Sequence, residues 1–216
     1  YSTALQKTGW RIPKPGNEAH SVTWCSWGYE FDVTPGQILG TVPKLKEMNI
    51  RWATLDDRWF NTYGDWEPRP DTFPGDSVKK MAADLHKQGI YAQIWWLPLG
   101  AEDGLGKYSS HKYSIAKVVK EHPDWLVLDR DGKHARMIRD LAVLCPALPE
   151  VQQYYRQLTE KFIRDWGFDG HKLDNIYSTP VCYNPRHNHK SPEESTYAMG
   201  EVFRVIFETT RQLKPE

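Results

Sequence analysis

Two kinds of hydrophobic pattern alternate along the chain. Short, nearly continuous apolar runs predict strands, at residues 20–27, 51–57, 90–99 and 170–176. The segments between them predict helices, at residues 34–48, 76–88, 148–166 and 193–213. Pro35 suits the first turn of its helix, and Gly89 suits a helix end. Because strands and helices alternate, the sequence predicts βα units, which assemble into a parallel sheet.

The number of these units defines the expected architecture. Four of them occur between residues 20 and 216, whereas a closed barrel contains eight in about 250 residues. We therefore expect an α/β fold in which residues 20–216 form the first half of a TIM-type (β/α)8 barrel, after a polar lead-in or linker at residues 1–19. Since a half barrel exposes both edge strands, we also expect a complementary barrel half or an oligomeric partner.

Two long irregular segments follow strands. One covers residues 58–75 and the other residues 100–147, where we expect a short helix near 111–121 and a hairpin around 129–132. Long connections after barrel strands usually build the walls of a binding site.

Composition and charge exclude several classes of function. The 216 residues are 39% hydrophobic, which is enough for one sizeable core. Lys and Arg number 28, as do Asp and Glu, so the zero net charge predicts neither a nucleic-acid partner nor an anionic membrane. No apolar stretch reaches the length of a membrane span, and no signal peptide is evident. Because the chain begins Tyr-Ser-Thr without Met, the cellular location stays open.

Carboxylates at strand ends point to chemistry on a polar substrate. The second predicted strand ends in Asp56 and Asp57, and the last one carries Asp174. Barrel enzymes place their working groups at this rim. The chain also has 10 Trp and 11 Tyr, whose flat faces beside carboxylates suit sugars. The alternative is structural: the Trp residues belong to the core, and the aspartates form turns or caps.

Cysteine and histidine residues are candidate metal ligands. Cys25, Cys145 and Cys182 are odd in number and lack C-x-x-C spacing, so we expect buried thiols without a disulfide framework or a zinc knuckle. His187 and His189 invite a metal site together with His171, but their segment reads as a solvated loop. We therefore expect no metal and no cofactor.

Six short segments, in this order and spacing, resemble the catalytic barrel of glycoside hydrolase family 36. The segments are Trp24–Gly28 (WCSWG), Leu55–Phe60 (LDDRWF), Gly64–Trp66 (GDW), Phe73–Gly75 (FPG), His122–Trp125 (HPDW) and Lys172–Asn175 (KLDN). The resemblance covers residues 21–216. The family shares a clan of retaining α-galactosidases with family 27, and family 31 is more distant.

The resemblance implies a catalytic nucleophile at Asp174, the carboxylate of the family's Lys-x-Asp motif. Lys172 faces the same side of the strand, because side chains alternate. The resemblance implies that Lys172 contacts a substrate hydroxyl, and its charge should help keep Asp174 ionised. A retaining glycosidase also needs an acid/base. In the clan that group comes from strand six, so we expect it beyond residue 216.

The resemblance also implies a set of sugar contacts. Asp56 and Asp57 correspond to residues that hold the outer hydroxyls of the non-reducing sugar. Trp66, together with Trp95 or Trp96, would form pocket walls, and Trp27 of the first motif is placed with these substrate contacts.

Two departures from the family pattern leave the sugar open. Arg58 stands where the family usually has glycine, and the third strand ends Trp-Leu-Pro-Leu where galactosidases often show a Glu-Pro-Glu run. The expected function is a retaining α-glycoside hydrolase acting on terminal α-galactosides, with N-acetylgalactosamine as another possible sugar. The alternatives are a non-catalytic carbohydrate-binding barrel, an α-galactosyl-transferring relative and a metal-dependent barrel hydrolase.

Overall fold

The computed structural model describes residues 20–106, 114–174, 176 and 179–215, together with residues 7, 16 and 18. The strands are Thr23–Cys25 (β1), Trp52–Leu55 (β2), Tyr91–Trp96 (β3), Gly100–Ala101 (β4), Ala142–Val143 (β5) and Gly170–Leu173 (β6). The α-helices are Pro35–Gly40 (α1), Val42–Glu47 (α2), Ser77–Lys87 (α3), Lys117–Glu121 (α4), Pro149–Glu160 (α5) and Glu194–Leu213 (α6). The lead-in expected at residues 1–19 lies almost entirely outside the described residues.

The main sheet contains the four predicted strands. Its order is β1-β2-β3-β6, and all three pairings are parallel. Each strand is followed by helical structure, as the sequence predicts. Among the described residues, β1 and β6 pair with no further strand of this sheet.

The two faces of this sheet differ in chemistry. On one face, Thr23 contacts Thr54, and the Thr54 hydroxyl donates to Gln93 Oε1 at 2.8 Å. On the other face, Trp96 stacks on Tyr155 of α5 with ring centroids 5.9 Å apart. The face covered by helices is thus apolar, and the opposite face is lined by polar side chains, as a barrel interior that leads to a site would be.

Some boundaries differ from those predicted. The first strand ends at Cys25 instead of residue 27, and a 3-10 segment, Ser26–Asp32, follows it. The helix predicted at 34–48 is two helices, because Pro43 lacks the N–H that would continue the hydrogen-bond ladder. The α-helical part of 148–166 ends at Glu160 and continues as a π-helical turn, Lys161–Asp165.

The long connection after β3 is held at both ends. Strands β4 and β5 form a two-stranded antiparallel sheet that joins its beginning to its end. The predicted hairpin is present, since Leu128 pairs with His134 and Gly132 takes a φ of 75° in the turn. The expected short helix appears as α4; residues 107–113 lie outside the described residues.

An aromatic cluster fills the space between the sheet and the loop after β2. Trp59, Phe60, Trp66 and Trp96 are all at most 2% exposed. Gly64 lets this loop approach closely, because its φ is 107° and a Cβ there would lie 2.9 Å from Ala101 Cβ. Within the described part of the chain, no helix combines the length and apolar character needed to cross a membrane.

His171 links β6 to α6 as a neutral side chain. Trp96 Nε1 donates to its Nδ1 at 3.1 Å, so the proton is on Nε2, which lies 3.0 Å from Thr210 Oγ1. Burial lowers the pKa of His171 to about 4. A proton added at Nδ1 would face the Trp96 N–H, so the folded state resists protonation.

We predict a pH-dependent loss of stability from this histidine. Its folded pKa lies below the ordinary value of about 6.5, so its contribution is complete above pH 6.5 and is lost as pH falls towards 4. The loss is about 2 kcal/mol at pH 5. In thermal unfolding of the full-length protein, His171→Gln should lose less stability than wild type between pH 7.5 and 5. The exposed-residue control His20→Gln should follow wild type; a wild-type response from His171→Gln would contradict the assignment.

Candidate active site

The carboxyl ends of the parallel strands bring the predicted residues to one rim. Lys172 extends from β6 and donates from Nζ to Asp56 Oδ2 at 2.5 Å. Cys25 Sγ at the end of β1 donates to the same oxygen at 2.7 Å. Since β6 pairs with β3 rather than with β1 or β2, these contacts span the concave face of the sheet. The strands therefore curve around a shared interior, as in a barrel wall.

Asp174 lies directly after β6. Its backbone N–H donates to Trp96 O at 3.1 Å, which extends the strand pairing by one residue. Its side chain accepts a 3.0 Å hydrogen bond at Oδ2 from Trp95 Nε1. Trp95 is 1% exposed and so cannot readily change position. A fixed neutral donor orients the carboxylate.

Asp56 is a buried carboxylate, 2% exposed. Its backbone N–H donates to Ser26 Oγ at 2.9 Å, so backbone and side chain are both held. Burial opposes the charge on Lys172, but Asp56 raises the pKa of this lysine above its ordinary value. Lys172 thus forms an ion pair with Asp56 across the rim.

Cys25 acts in this network as a protonated donor. Burial raises the pKa of its thiol, and the hydrogen bond to Asp56 raises it further. The thiol form is therefore favoured, which is the form that can donate to a carboxylate. A thiolate nucleophile at this position does not fit these surroundings.

Asp57 belongs to a separate network. Strand β2 ends at Leu55, so Asp56 and Asp57 lie where the chain is turning. Neighbouring side chains within a strand face opposite ways, so this position is required if both are to reach one ligand. Asp57 is 2% exposed and pairs with Arg139 Nη1 at 2.6 Å. Its carboxylate also accepts from the Tyr63 hydroxyl at 3.2 Å, and Arg139 contacts that hydroxyl as well. Burial raises the pKa of Tyr63, and Asp57 adds to this effect.

Sequence reasoning missed Arg139. This residue lies in the 3-10 turn Ile138–Asp140, with a left-handed φ of 58°. Its guanidinium carbon is 5.8 Å from the ring centroid of Trp95. No motif marks Arg139 in the long connection after β3, so its position depends on how that connection folds back over the rim.

The predicted aromatic walls take different positions. Trp27 is 43% exposed in the segment after β1, where a ligand could reach it. Trp66 is fully buried and packs against Trp59 and Phe60. Trp66 is therefore a core residue, which corrects the expectation that it forms a pocket wall. Of the strand-three pair, Trp95 faces the site and Trp96 packs under α5.

The loop expected to be solvated contains a buried histidine. His187 is 8% exposed and contacts Cys182 Sγ through Nδ1 at 3.2 Å. The prediction of a solvated histidine loop is therefore wrong, because this segment packs beneath the connection that follows β3. Its side chains lie outside the networks of Asp56, Asp57 and Asp174 described above.

A surface cleft of about 770 Å³ lies away from the rim, between α4, α5 and the loop after β2. Among the described residues, its lining includes Glu121, Trp125 and Tyr154 but none of the predicted site residues. The chemistry of the strand ends, rather than the size of this cleft, defines the candidate site.

A family model described as Melibiase matches residues 13–214. The chain belongs to the melibiase family. This melibiase chain is similar to the protein named "A type blood alpha-D-galactosamine galactosaminidase" from Flavonifractor plautii, with 32% identity over 222 residues that cover 96% of this chain and 20% of that protein. The chain spans about a fifth of the length of the curated relatives it matches.

Solved structures share the fold of this melibiase chain. A GH36 alpha-galactosidase from Geobacillus stearothermophilus matches with a TM-score of 0.74 and 16% identity, covering 93% of this chain and 28% of that one. An alpha-galactosidase from Thermus thermophilus in complex with stachyose matches with a TM-score of 0.69 and 22% identity, covering 87% and 37%. The predicted fold class is confirmed: the parallel sheet is part of a TIM-type barrel.

We predict that Arg139 stabilises the rim by neutralising Asp57. Arg139→Gln should lower the free energy of unfolding by about 2–3 kcal/mol. It removes the nearer cation of a buried carboxylate and leaves Arg58, whose Nε is 3.7 Å from Asp57 Oδ2. Asp57→Asn in the same chain should restore part of this loss, as measured by urea unfolding of the full-length melibiase. The exposed-residue control Arg204→Gln should change little. Additive effects of Arg139→Gln and Asp57→Asn would contradict a direct pair.

Proposed function

We propose that this melibiase chain supplies the nucleophile of a retaining α-glycoside hydrolase that acts on terminal α-galactosides, with Asp174 as that nucleophile. The observation that carries the proposal is the position of Asp174 at the carboxyl end of β6, with Oδ2 bound to Trp95 Nε1 at 3.0 Å. Barrel enzymes carry out their chemistry at this end of the strands. Membership of the melibiase family supports the same reaction class.

In the proposed first step, a carboxylate oxygen of Asp174 attacks the anomeric carbon of the bound sugar. The bond from that carbon to the leaving oxygen breaks, and the leaving oxygen takes a proton from an acid. Water then attacks the glycosyl-enzyme, gives a proton to the same group and releases the Asp174 carboxylate. Trp95 keeps the carboxylate oriented in both steps.

The acid/base is the second group that this mechanism needs. In retaining enzymes it lies about 5–5.5 Å from the nucleophile. We assign it to a barrel strand beyond residue 216, which follows the family pattern in which strand six provides it. The complementary barrel half that would carry this strand is part of the proposal.

Lys172 and Asp56 form the proposed recognition pair for sugar hydroxyls. The Lys172 side chain is 42% exposed while that of Asp56 is 3% exposed, so the ammonium group faces the open interior. An ammonium group with remaining N–H donors can bind a hydroxyl oxygen while it stays paired with Asp56. Asp57 lies beside this pair, and Trp27 offers an exposed aromatic face at the rim.

An α-linked galactosamine is the second candidate for the bound sugar. The observation in its favour is the similarity to the Flavonifractor plautii protein named "A type blood alpha-D-galactosamine galactosaminidase", which is 32% identical to this chain. The third strand also lacks the Glu-Pro-Glu run expected of galactosidases, as its last residues are Trp-Leu-Pro-Leu. Hydrolysis is tested against two alternatives. One is a barrel that binds sugar without turnover, and the other is a transferase that uses the same nucleophile.

We predict that Asp174→Asn abolishes hydrolysis and preserves sugar binding, since the change is nearly isosteric. The value of kcat should fall by roughly 10⁴-fold or more, while the Kd measured by calorimetry should change by about threefold at most. Asp165→Asn, at a carboxylate that is 51% exposed, is the matched control and should retain wild-type kcat. Normal turnover by Asp174→Asn would remove Asp174 from the mechanism.

A second variant separates a nucleophilic role from a structural one. Asp174→Gly leaves space for a small anion, so added azide should restore turnover of an activated α-galactoside. The product should be the β-galactosyl azide, because the anion attacks the face that Asp174 would have used. Failure of azide to restore any turnover in a folded variant would count against the nucleophilic role.

The preferred sugar can be determined by comparing aryl α-D-galactoside, α-D-galactosaminide and α-N-acetylgalactosaminide. We predict the highest kcat/KM for the galactoside with the full-length protein. If kcat/KM is at least tenfold higher for either amino sugar, that sugar is the preferred substrate instead of galactose. Absence of turnover for all three, with binding retained, would favour the non-catalytic barrel.

A further inference from the structure

Four potential metal ligands meet beneath two long connections of the barrel. Cys145 lies between β5 and α5, whereas Cys182, His187 and His189 belong to the connection between β6 and α6. One ligand atom from each side chain lies within 4.8 Å of all the others. The two sulfur-bearing side chains are at most 1% exposed, and His187 is 8% exposed.

The Nδ1 nitrogen of His187 faces the Cys182 sulfur. Its Nε2 lies 2.7 Å from the Asp124 carbonyl oxygen, which can only accept, so Nε2 carries the proton. Its Nδ1, 3.2 Å from Cys182 Sγ, is therefore the unprotonated nitrogen that a metal ion needs. Metal-binding histidines commonly donate their other ring N–H to a backbone carbonyl in this way.

His189 provides an independent indication of a missing ligand. Its Nε2 is buried and has no hydrogen-bond partner among the described residues. Buried polar atoms are rarely left unsatisfied, because desolvation without a partner costs free energy. A metal ion placed between the sulfurs and the two imidazoles would provide that partner.

Backbone N–H groups lie near both sulfurs. Backbone hydrogen bonds from Ala147 and Leu148 reach Cys145 Sγ, and one from Asn184 reaches Cys182 Sγ. A divalent cation that binds there would favour the deprotonated form of both thiols.

We propose that Cys145, Cys182, His187 and His189 bind one Zn²⁺ ion with tetrahedral S₂N₂ coordination. Binding forms two Zn–S and two Zn–N bonds and releases the two thiol protons. Zinc prefers this ligand set, and tetrahedral bonds of about 2.3 Å to sulfur and 2.0–2.1 Å to nitrogen place the ligand atoms about 3.3–3.8 Å apart. The four ligand atoms here all lie within 4.8 Å of one another. With four protein ligands the coordination is closed, so the ion has a structural role.

The ion would join the connection after β3 to the segment that follows Asp174. These two regions already contact each other, since Tyr183 N–H donates to Leu128 O at 2.8 Å and Asn184 Nδ2 donates to Leu126 O at 3.0 Å. A metal crosslink would restrict the chain that leaves the rim at Asp174. The site itself does not depend on which sugar the enzyme uses.

The first test measures zinc by mass spectrometry in full-length protein purified under reducing conditions without added metal. We expect about one zinc per chain in wild type, and a loss of at least tenfold in Cys182→Ser and in His189→Gln. Cys25→Ser and His20→Gln change the same residue types outside the cluster and should keep the zinc. Zinc retained in Cys182→Ser and His189→Gln, or no zinc in wild type after incubation with Zn²⁺, would overturn the proposal.

A second test does not depend on the folding of variants. Co²⁺ added to metal-free wild-type protein should give intense visible bands of tetrahedral cobalt and a near-ultraviolet thiolate-to-metal band. Stoichiometric Zn²⁺ should remove both signals. An octahedral cobalt spectrum, or a disulfide between Cys145 and Cys182 in peptide maps of the reduced preparation, would contradict the assignment.

Discussion

A single buried carboxylate imposes the shape of the rim. Asp56 is 2% exposed, and burial of a charge is costly unless a partner lies close by. The partners are Lys172 from β6 and Cys25 from β1, which reach Asp56 across the concave face of the sheet. The strands must curve for these atoms to meet. The interaction that neutralises Asp56 thereby also places Asp174, two residues after Lys172, at the same rim.

Two polar networks surround the proposed nucleophile. Asp56 and Lys172 form one, and Asp57 with Arg139 forms the other. Trp95 lies between them, because it donates to Asp174 while its ring lies 5.8 Å from the Arg139 guanidinium carbon. Residues that are held by buried partners lose little entropy when a substrate binds, which is how an enzyme fixes its reacting groups before the reaction begins.

Local sequence signals predicted the strands and the residues next to them. A buried parallel strand requires an apolar run, and a carboxylate that follows such a run must lie at the rim, so Asp56, Asp57 and Asp174 could be located. Residues from the long connections could not be located in this way. Arg139 and the meeting of Cys145 with Cys182 arise from folding over many residues. The close spacing of His187 and His189 invites a metal site, but it does not identify the two cysteines beside them. Trp66 was misplaced because the Gly-Asp-Trp motif does not show whether the rest of the fold covers its ring.

The most direct test of Asp174 as nucleophile is to trap the glycosyl-enzyme. Full-length protein would be treated with an activated fluorinated α-galactosyl fluoride, and its intact mass and peptides would then be measured. The fluorine slows breakdown of the covalent intermediate, so one sugar should be found on the peptide that contains Asp174. A sugar attached to a different carboxylate, or no adduct on a protein that hydrolyses α-galactosides, would contradict the account.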